Sequence, residues 1–241
     1  MVKNDEAIED LLKGNLKVIQ KKGGYRFSID AVLLADFTRV KKKDVIADLG
    51  TGCGLIPLIL SRKAMQSRIC GIELDAAAAE MAARSIRLNK LSEKISIAQA
   101  DVRAIRALYT AESFDLVTTN PPYGRPDSGR INPTKEVAEA RHEIAGSLDD
   151  FLAAAVYLLK YGGRLSLVYP ARRLADLMEG LRKRGIEPKR LRTVHSRLGE
   201  GAKLVLLEGI KGGGVEMEVM RPLYIYDNNG EYTDEVEAMY S

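Results

Sequence analysis

Apolar and polar positions alternate along the middle of the chain in a strand-then-helix rhythm. Residues 44–49 form a short apolar run suited to a buried strand, a Gly-rich turn follows, and residues 55–64 have the apolar character of a packed helix. The same unit recurs as a strand over 68–73 with a helix over 76–89, then as strands over 95–99 and 114–119. An amphipathic helix over 148–159 is stopped by Gly162-Gly163. A strand over 164–169 and a helix over 172–184 complete the series. Such alternation predicts an α/β fold with a mostly parallel sheet, seven strands in all, and helices on both faces. The rhythm then breaks. Residues 189–195 and 203–207 read as two strands with no helix between them, which predicts a C-terminal antiparallel pair. A further hairpin is expected where 223–226 and 231–233 flank Asp227-Asn228-Asn229-Gly230. Near the start, Ile29, Val32, Leu33 and Phe37 have helical spacing.

One domain is expected: an N-terminal segment over 1–43 covering the cofactor side, a core over 44–210, and a C-terminal extension over 211–241. With 46% hydrophobic and 29% charged residues, the composition is that of an ordinary globular chain with a sizeable core. No apolar run reaches the length of a membrane span and the first residues carry no signal-peptide pattern, so a cytoplasmic protein without membrane association is expected. Two cysteines without metal spacing and only two histidines predict reduced thiols and no metal site. The oligomeric state stays open, with a monomer as the expectation. A net charge of +4 decides little by itself. Its distribution matters more, because Arg182, Lys183, Arg184, Lys189, Arg190, Arg192 and Arg197 fall in one stretch. That stretch is either a phosphate footprint or a solvated helix face and strand.

The turn after the first core strand reads Asp48-Leu49-Gly50-Thr51-Gly52-Cys53-Gly54. Its glycines permit a sharp turn and close approach of a ligand at a strand's carboxyl end. A dinucleotide fingerprint is missing, since the third glycine position holds Leu55 in one frame and Pro57 in the other. No Gly-Lys-Ser/Thr follows, which excludes a P-loop. Glu73 ends the next strand, where a carboxylate can accept both ribose hydroxyls of an adenosine. Asp101 follows the third strand, where it can accept from an adenine amine, and Ile72 and Val102 could enclose the ring. Taken singly, Asp75 and Asp101 also suit helix N-caps.

Asn120-Pro121-Pro122-Tyr123 closes the fourth strand. The Asn amide oxygen and the Pro121 carbonyl are two acceptors in a loop whose prolines fix φ. Two acceptors aimed at a conjugated amine draw it toward tetrahedral geometry and release its lone pair. The Tyr ring offers a face for stacking. The alternative is an ordinary proline turn after a strand. The following segment, 124–146, is polar, rich in Gly and Pro, and long for a connection, which favours a substrate loop.

In combination these residues resemble the Rossmann-like S-adenosylmethionine-dependent methyltransferases that carry an Asn-Pro-Pro-Tyr motif. The resemblance implies that Asp48, Gly50, Gly52, Gly54, Glu73, Asp101 and Val102 bind the cofactor, and that Asn120, Pro121 and Tyr123 hold the target amine. More narrowly, segments 16–20 and 24–34, the string Ala140-Arg141-His142-Glu143 and the ending Arg221-Pro222-Leu223-Tyr224-Ile225-Tyr226 are similar to the bacterial tRNA1(Val) (adenine(37)-N6)-methyltransferases. That likeness implies Gln20, Phe27, Ser28 and Asp30 near the methionine end of the cofactor. The function expected is methyl transfer from S-adenosylmethionine to the N6 amine of adenine in tRNA. Arg125, Arg130, Lys135 and Arg141 in the long loop, together with Arg182, Lys183 and Arg184, are expected to hold RNA phosphates. His142 is read as structural or RNA-contacting. Rival readings are methylation of a protein glutamine amide, of a guanine amine in ribosomal RNA or of adenine in DNA, and a non-catalytic binding module.

Overall fold

In a computed structural model of the chain, the described residues are 2–22, 29–123 and 146–241. The apolar runs become strands β3 (Val45–Leu49), β4 (Arg68–Glu73), β5 (Ile95–Gln99), β6 (Phe114–Thr119) and β7 (Leu159–Pro170) of one parallel array. Helices α2 (Leu55–Lys63), α3 (Ala76–Leu88), α4 (Leu148–Leu158) and α5 (Leu174–Lys183) connect or flank them. Two apolar clusters sit on the two sheet faces. Ile46, Leu116 and Val168 belong to one. Their neighbours Ala47, Val117 and Leu167 belong to the other. Strand periodicity of two sorts adjacent residues in this way, and because both faces are covered the strands read as continuous apolar runs.

Three departures from the sequence reading concern the sheet's far edge. The strand from 164 begins earlier, at Leu159, so Gly162-Gly163 lies inside β7 at an irregular register opposite β6. The antiparallel pair exists as β8 (Ile186–His195) and β9 (Ala202–Lys211), but the later strand is the inner one. The order is β8-β9-β7-β6-β3-β4-β5, so β9 runs against both neighbours and β8 points the same way as β7. Burial explains the choice: Val205 to Gly209 is buried without a break, while β8 alternates as a half-covered strand does. Finally, the sheet has nine strands rather than seven. Two short strands, β10 (Glu218–Val219) and β11 (Leu223–Tyr224), pair in parallel with β8. The C-terminal hairpin is reduced to a bridge between Tyr226 and Tyr232, since Leu223 and Tyr224 are engaged by β8. Helix α6 (Asp234–Met239), capped by the Thr233 hydroxyl, follows.

Upstream lies an antiparallel hairpin with no counterpart in the sequence reading, β1 (Glu6–Leu11) with β2 (Leu16–Lys21), and then α1 (Ile29–Phe37). Lys17 and Ile19 donate backbone N–H groups to Asn89 Oδ1 and Ser85 Oγ of α3, at 2.9 and 3.0 Å. Beneath them Arg84 and Glu6 form a bidentate pair at 2.5 and 2.6 Å. These contacts place the hairpin beside the mouth of the β3–α2 turn.

Candidate active site

The Gly-rich turn and the proline turn leave the sheet side by side. Leu49 and Thr119 are register partners on adjacent parallel strands, so Gly50 and Asn120 exit about one strand spacing apart, roughly 5 Å.

In the first turn, Gly50 and Thr51 both donate to the Ile72 carbonyl, at 2.9 and 3.0 Å. Gly50, Gly52 and Gly54 adopt φ of 70°, 56° and 84°, a region that disfavours side chains. Gly52 N–H donates to Glu73 Oε2 at 2.7 Å, and Asp75 N–H to Glu73 Oε1 at 2.9 Å. Each carboxylate oxygen keeps a further lone pair for a ligand. Asp75 also caps α3 by accepting from Ala78 N–H at 2.7 Å. Asp48 is fully buried. Its Oδ1 accepts from the Thr118 hydroxyl at 2.8 Å. Its Oδ2 and the Thr51 hydroxyl oxygen are buried with no bond of hydrogen-bonding geometry among the described residues. Burial pushes the Asp48 carboxyl up to about 7, against the pull of the Thr51 and Thr118 hydroxyls, and the Glu73 charge adds to the rise. A buried carboxyl with an unused oxygen at a glycine turn fits a cationic ligand end, and Glu73 fits a diol.

Asp101 caps the 3-10 turn Val102–Ala107 and is gripped by Arg103, whose Nη2 lies 2.6 Å from Oδ2. That guanidinium holds the Asp101 carboxyl below the usual carboxylate range. An amine bound at Asp101 therefore shares the carboxylate with Arg103. Val102 is 5% exposed and Ile72 not at all. The Ile72 side chain is core, because β4 is an inner strand covered on both faces, and the half-buried apolar residue at that strand end is Leu74.

In the second turn, the Tyr123 hydroxyl is 2.7 Å from Asn120 Oδ1 and 3.1 Å from Asp30 Oδ2 of α1. The Tyr123 ring meets Tyr169 edge-on at 5.8 Å, and Arg173 donates to the Tyr123 carbonyl at 3.4 Å. Tyr123 is thus held at both ends, and its hydroxyl braces the clamp amide. Asp30 reaches the clamp tyrosine. Gln20 is placed at the glycine turn, donating to Cys53 Sγ at 3.4 Å.

Phe27, Ser28, Arg125, Arg130, Lys135, Arg141 and His142 lie outside the described residues. The structure separates Arg182, Lys183 and Arg184 from the clamp. They end α5, which runs back from the exit of β7 to the entry of β8, at the opposite end of the sheet. A crossover helix must return to where the next parallel strand begins, so its last turn lies away from the strand exits. Arg182 and Arg184 are moreover paired with Glu187 and Asp149. Sequence reasoning missed Thr118, Arg103, Arg173 and the Asp30–Tyr123 contact. Only Thr118 left a trace, as a polar residue inside a buried run. Among the described residues no cluster of three or more His, Cys, Asp or Glu could hold a metal, and no helix is long and apolar enough to cross a membrane.

The sequence model of the methyltransferase small domain family matches residues 15–181. A Porphyromonas gingivalis protein named tRNA1(Val) (adenine(37)-N6)-methyltransferase is 38% identical over 54% of this chain and 51% of its own length. The chain thus spans about half of that relative. A protein of the same name from Tolumonas auensis is 31% identical over 78% of this chain and 77% of its own. Among solved structures, a predicted O-methyltransferase of Agrobacterium tumefaciens superposes with a TM-score of 0.71 at 24% identity, covering 88% of this chain and 95% of that one. That likeness establishes the Rossmann-like class I fold.

Proposed function

The chain belongs to the methyltransferase small domain family, beside relatives named tRNA1(Val) (adenine(37)-N6)-methyltransferase, and from that premise we propose that it methylates the N6 amine of adenine 37 in tRNA(Val) using S-adenosylmethionine. The observation that carries the reading is the register of Leu49 with Thr119, which sets the glycine turn beside the amine clamp. When bound, the cofactor supplies a methyl group on a sulfonium, ready for in-line displacement. Asp48, Gly50, Gly52 and Gly54 line its turn, Glu73 takes the ribose hydroxyls, and Asp101 with Val102 takes the adenine. Gln20 of the N-terminal hairpin stands on this side, against Cys53. Asn120 Oδ1 and the Pro121 carbonyl accept the two amine hydrogens, leaving the nitrogen lone pair directed at the methyl group. An amide oxygen has two lone pairs, so Asn120 accepts from Tyr123 and the substrate together. The target base leaves its stack to enter such a pocket.

The deciding experiment is labelled-methyl transfer to RNA and to protein from a strain lacking the gene, followed by nucleoside and amino-acid analysis. N6-methyladenosine in an anticodon loop is expected. Label found as N5-methylglutamine, with no methylated base, transfers the assignment to the amide-methylating enzymes.

Glu73→Ala is expected to weaken S-adenosylmethionine binding by about 1.5–3 kcal/mol, the scale of hydrogen bonds to a charged group. It also removes the acceptor of Gly52 N–H. Calorimetry that finds NAD binding and none of S-adenosylmethionine sinks this account of the turn.

Tyr123→Ala should remove stacking worth about 1–3 kcal/mol per base. Tyr123→Phe keeps the ring and loses the brace on Asn120, at a cost of about 0.5–1.5 kcal/mol. Equal kcat/KM losses in the two variants would make the hydroxyl, not the ring, the working part.

A further inference from the structure

If the substrate is RNA, its backbone must reach the strand exits, where the clamp lies. We propose that this backbone crosses the sheet edge beside the clamp, its phosphates held by Arg172, Lys203 and Arg197. This rests on the RNA reading above and specifies its partner surface.

Strand register supports the placement. Thr119, which precedes the clamp, pairs with Leu167 of β7; three residues on, Pro170 pairs with Leu204 of β9. Leu204 also pairs with Val194, and Ala202 with His195 of β8. Arg172 therefore follows the exit of β7, Lys203 stands at the entry of β9, and Arg197 follows the exit of β8. Because β9 is inverted, its entry lies at the same end as its neighbours' exits. The three cations form a row across adjacent strands about 5 Å apart, beginning next to Arg173, which touches Tyr123.

Charge availability separates this row from the basic stretch of the sequence. Arg172, Lys203 and Arg197 are exposed, and none of the three side chains has an ion pair or hydrogen bond among the described residues. By contrast Arg182, Arg184, Arg190 and Arg192 are paired with Glu187, Asp149, Glu208 and Glu235. Lys189 is occupied by the carbonyls of Gly214 and Val215. Exposed lysines at 41–43 precede β3 and lie at the opposite end, a strand length of roughly 17 Å away.

Arg197 is also held in place. Its guanidinium lies 5.8 Å from the Tyr226 ring centroid. Tyr226 stacks on Tyr232 at 5.5 Å, and Tyr232 on Tyr240 at 5.7 Å. A guanidinium on such a ladder keeps its N–H edge outward, the edge that phosphate recognition uses.

The test compares the triple variant R172A/R197A/K203A with R182A/K183A/R184A and the unmodified protein, using unmodified tRNA. Binding is read across a salt series, kcat and KM by labelled-methyl transfer, and S-adenosylmethionine affinity by calorimetry. The first triple should flatten the slope of log affinity against log salt by roughly 2, since each phosphate contact contributes about 0.7–0.9. KM for tRNA should rise at least tenfold, while S-adenosylmethionine affinity and melting temperature stay unchanged. An unaltered slope in that triple, or a loss that follows the second triple, overturns the surface. If the unmodified protein transfers no methyl to any RNA, the RNA reading itself falls and the surface with it.

Discussion

Asn120→Ala is expected to slow methyl transfer by on the order of 100- to 1000-fold, the usual cost of deleting one preorganised group aimed at a reacting centre. Asn120 Oδ1 is one of two acceptors at the exit of β6, and the Tyr123 hydroxyl already orients it at 2.7 Å. The variant loses the acceptor, while that hydroxyl keeps its contact with Asp30. Cofactor affinity should not change, because the expected cofactor contacts come from the exits of β3, β4 and β5 and from the N-terminal segment, not from Asn120. The comparison is therefore single-turnover rate against calorimetric affinity. A rate within tenfold of the unmodified enzyme would remove Asn120 from the chemistry. Loss of S-adenosylmethionine binding would instead assign it to the cofactor site.

A large effect of another kind is expected at Glu6. The Glu6–Arg84 pair joins the N-terminal hairpin to α3, with side-chain exposures of 3% and 8%. Lys3 N–H also donates to Glu6, and Glu80 accepts from Arg84 Nε at 2.7 Å. Glu6→Ala removes the bidentate partner of the guanidinium under the hairpin while its contact with Glu80 stays, and should cost about 3 kcal/mol, the low end for one partner of a buried pair. The pair lies one side chain deep, beneath exposed Lys3 and Glu80. Its pH dependence has a definite sign. The Arg84 hydrogen bonds hold the Glu6 carboxyl down to about 2, against an ordinary value of 4.5. The unfolded chain therefore takes up the proton first. The stabilisation is complete above 4.5 and is lost as pH falls toward 2. In denaturant titrations the gap between the unmodified protein and Glu6→Ala should narrow steadily below pH 4.5. A gap that stays constant to pH 2.5 would show that packing, not the ion pair, holds the hairpin. Because β2 carries Gln20 to Cys53, the variant should also bind S-adenosylmethionine more weakly.

The inner strands were legible because burial on both faces leaves its mark locally. The inner strands at 68–73 and 114–119 run as the sequence predicts, and so does the edge strand at 95–99, whose polar and apolar residues alternate. Asp48, Glu73, Asp101 and Asn120 stand at strand exits, since in a parallel α/β sheet chain order alone places every strand-to-helix turn on one side. What the sequence by itself determined is therefore the succession of strands and helices and the set of polar residues that close them. Pairing partners and direction are long-range, and only the tertiary structure decided them. The inversion of β9 brings Lys203 to the clamp side, and the return of α5 takes Arg182 to Arg184 away from it. The hairpin over 6–21 escaped notice for a related reason. Glu6, Gln20 and Arg84 are polar by type and buried by partnership, and the hairpin's polar side is covered by α3 through Ser85, Asn89 and Arg84. Hydrophobic periodicity registers burial in an apolar core, whereas burial purchased by an ion pair 78 residues distant leaves no periodic signal.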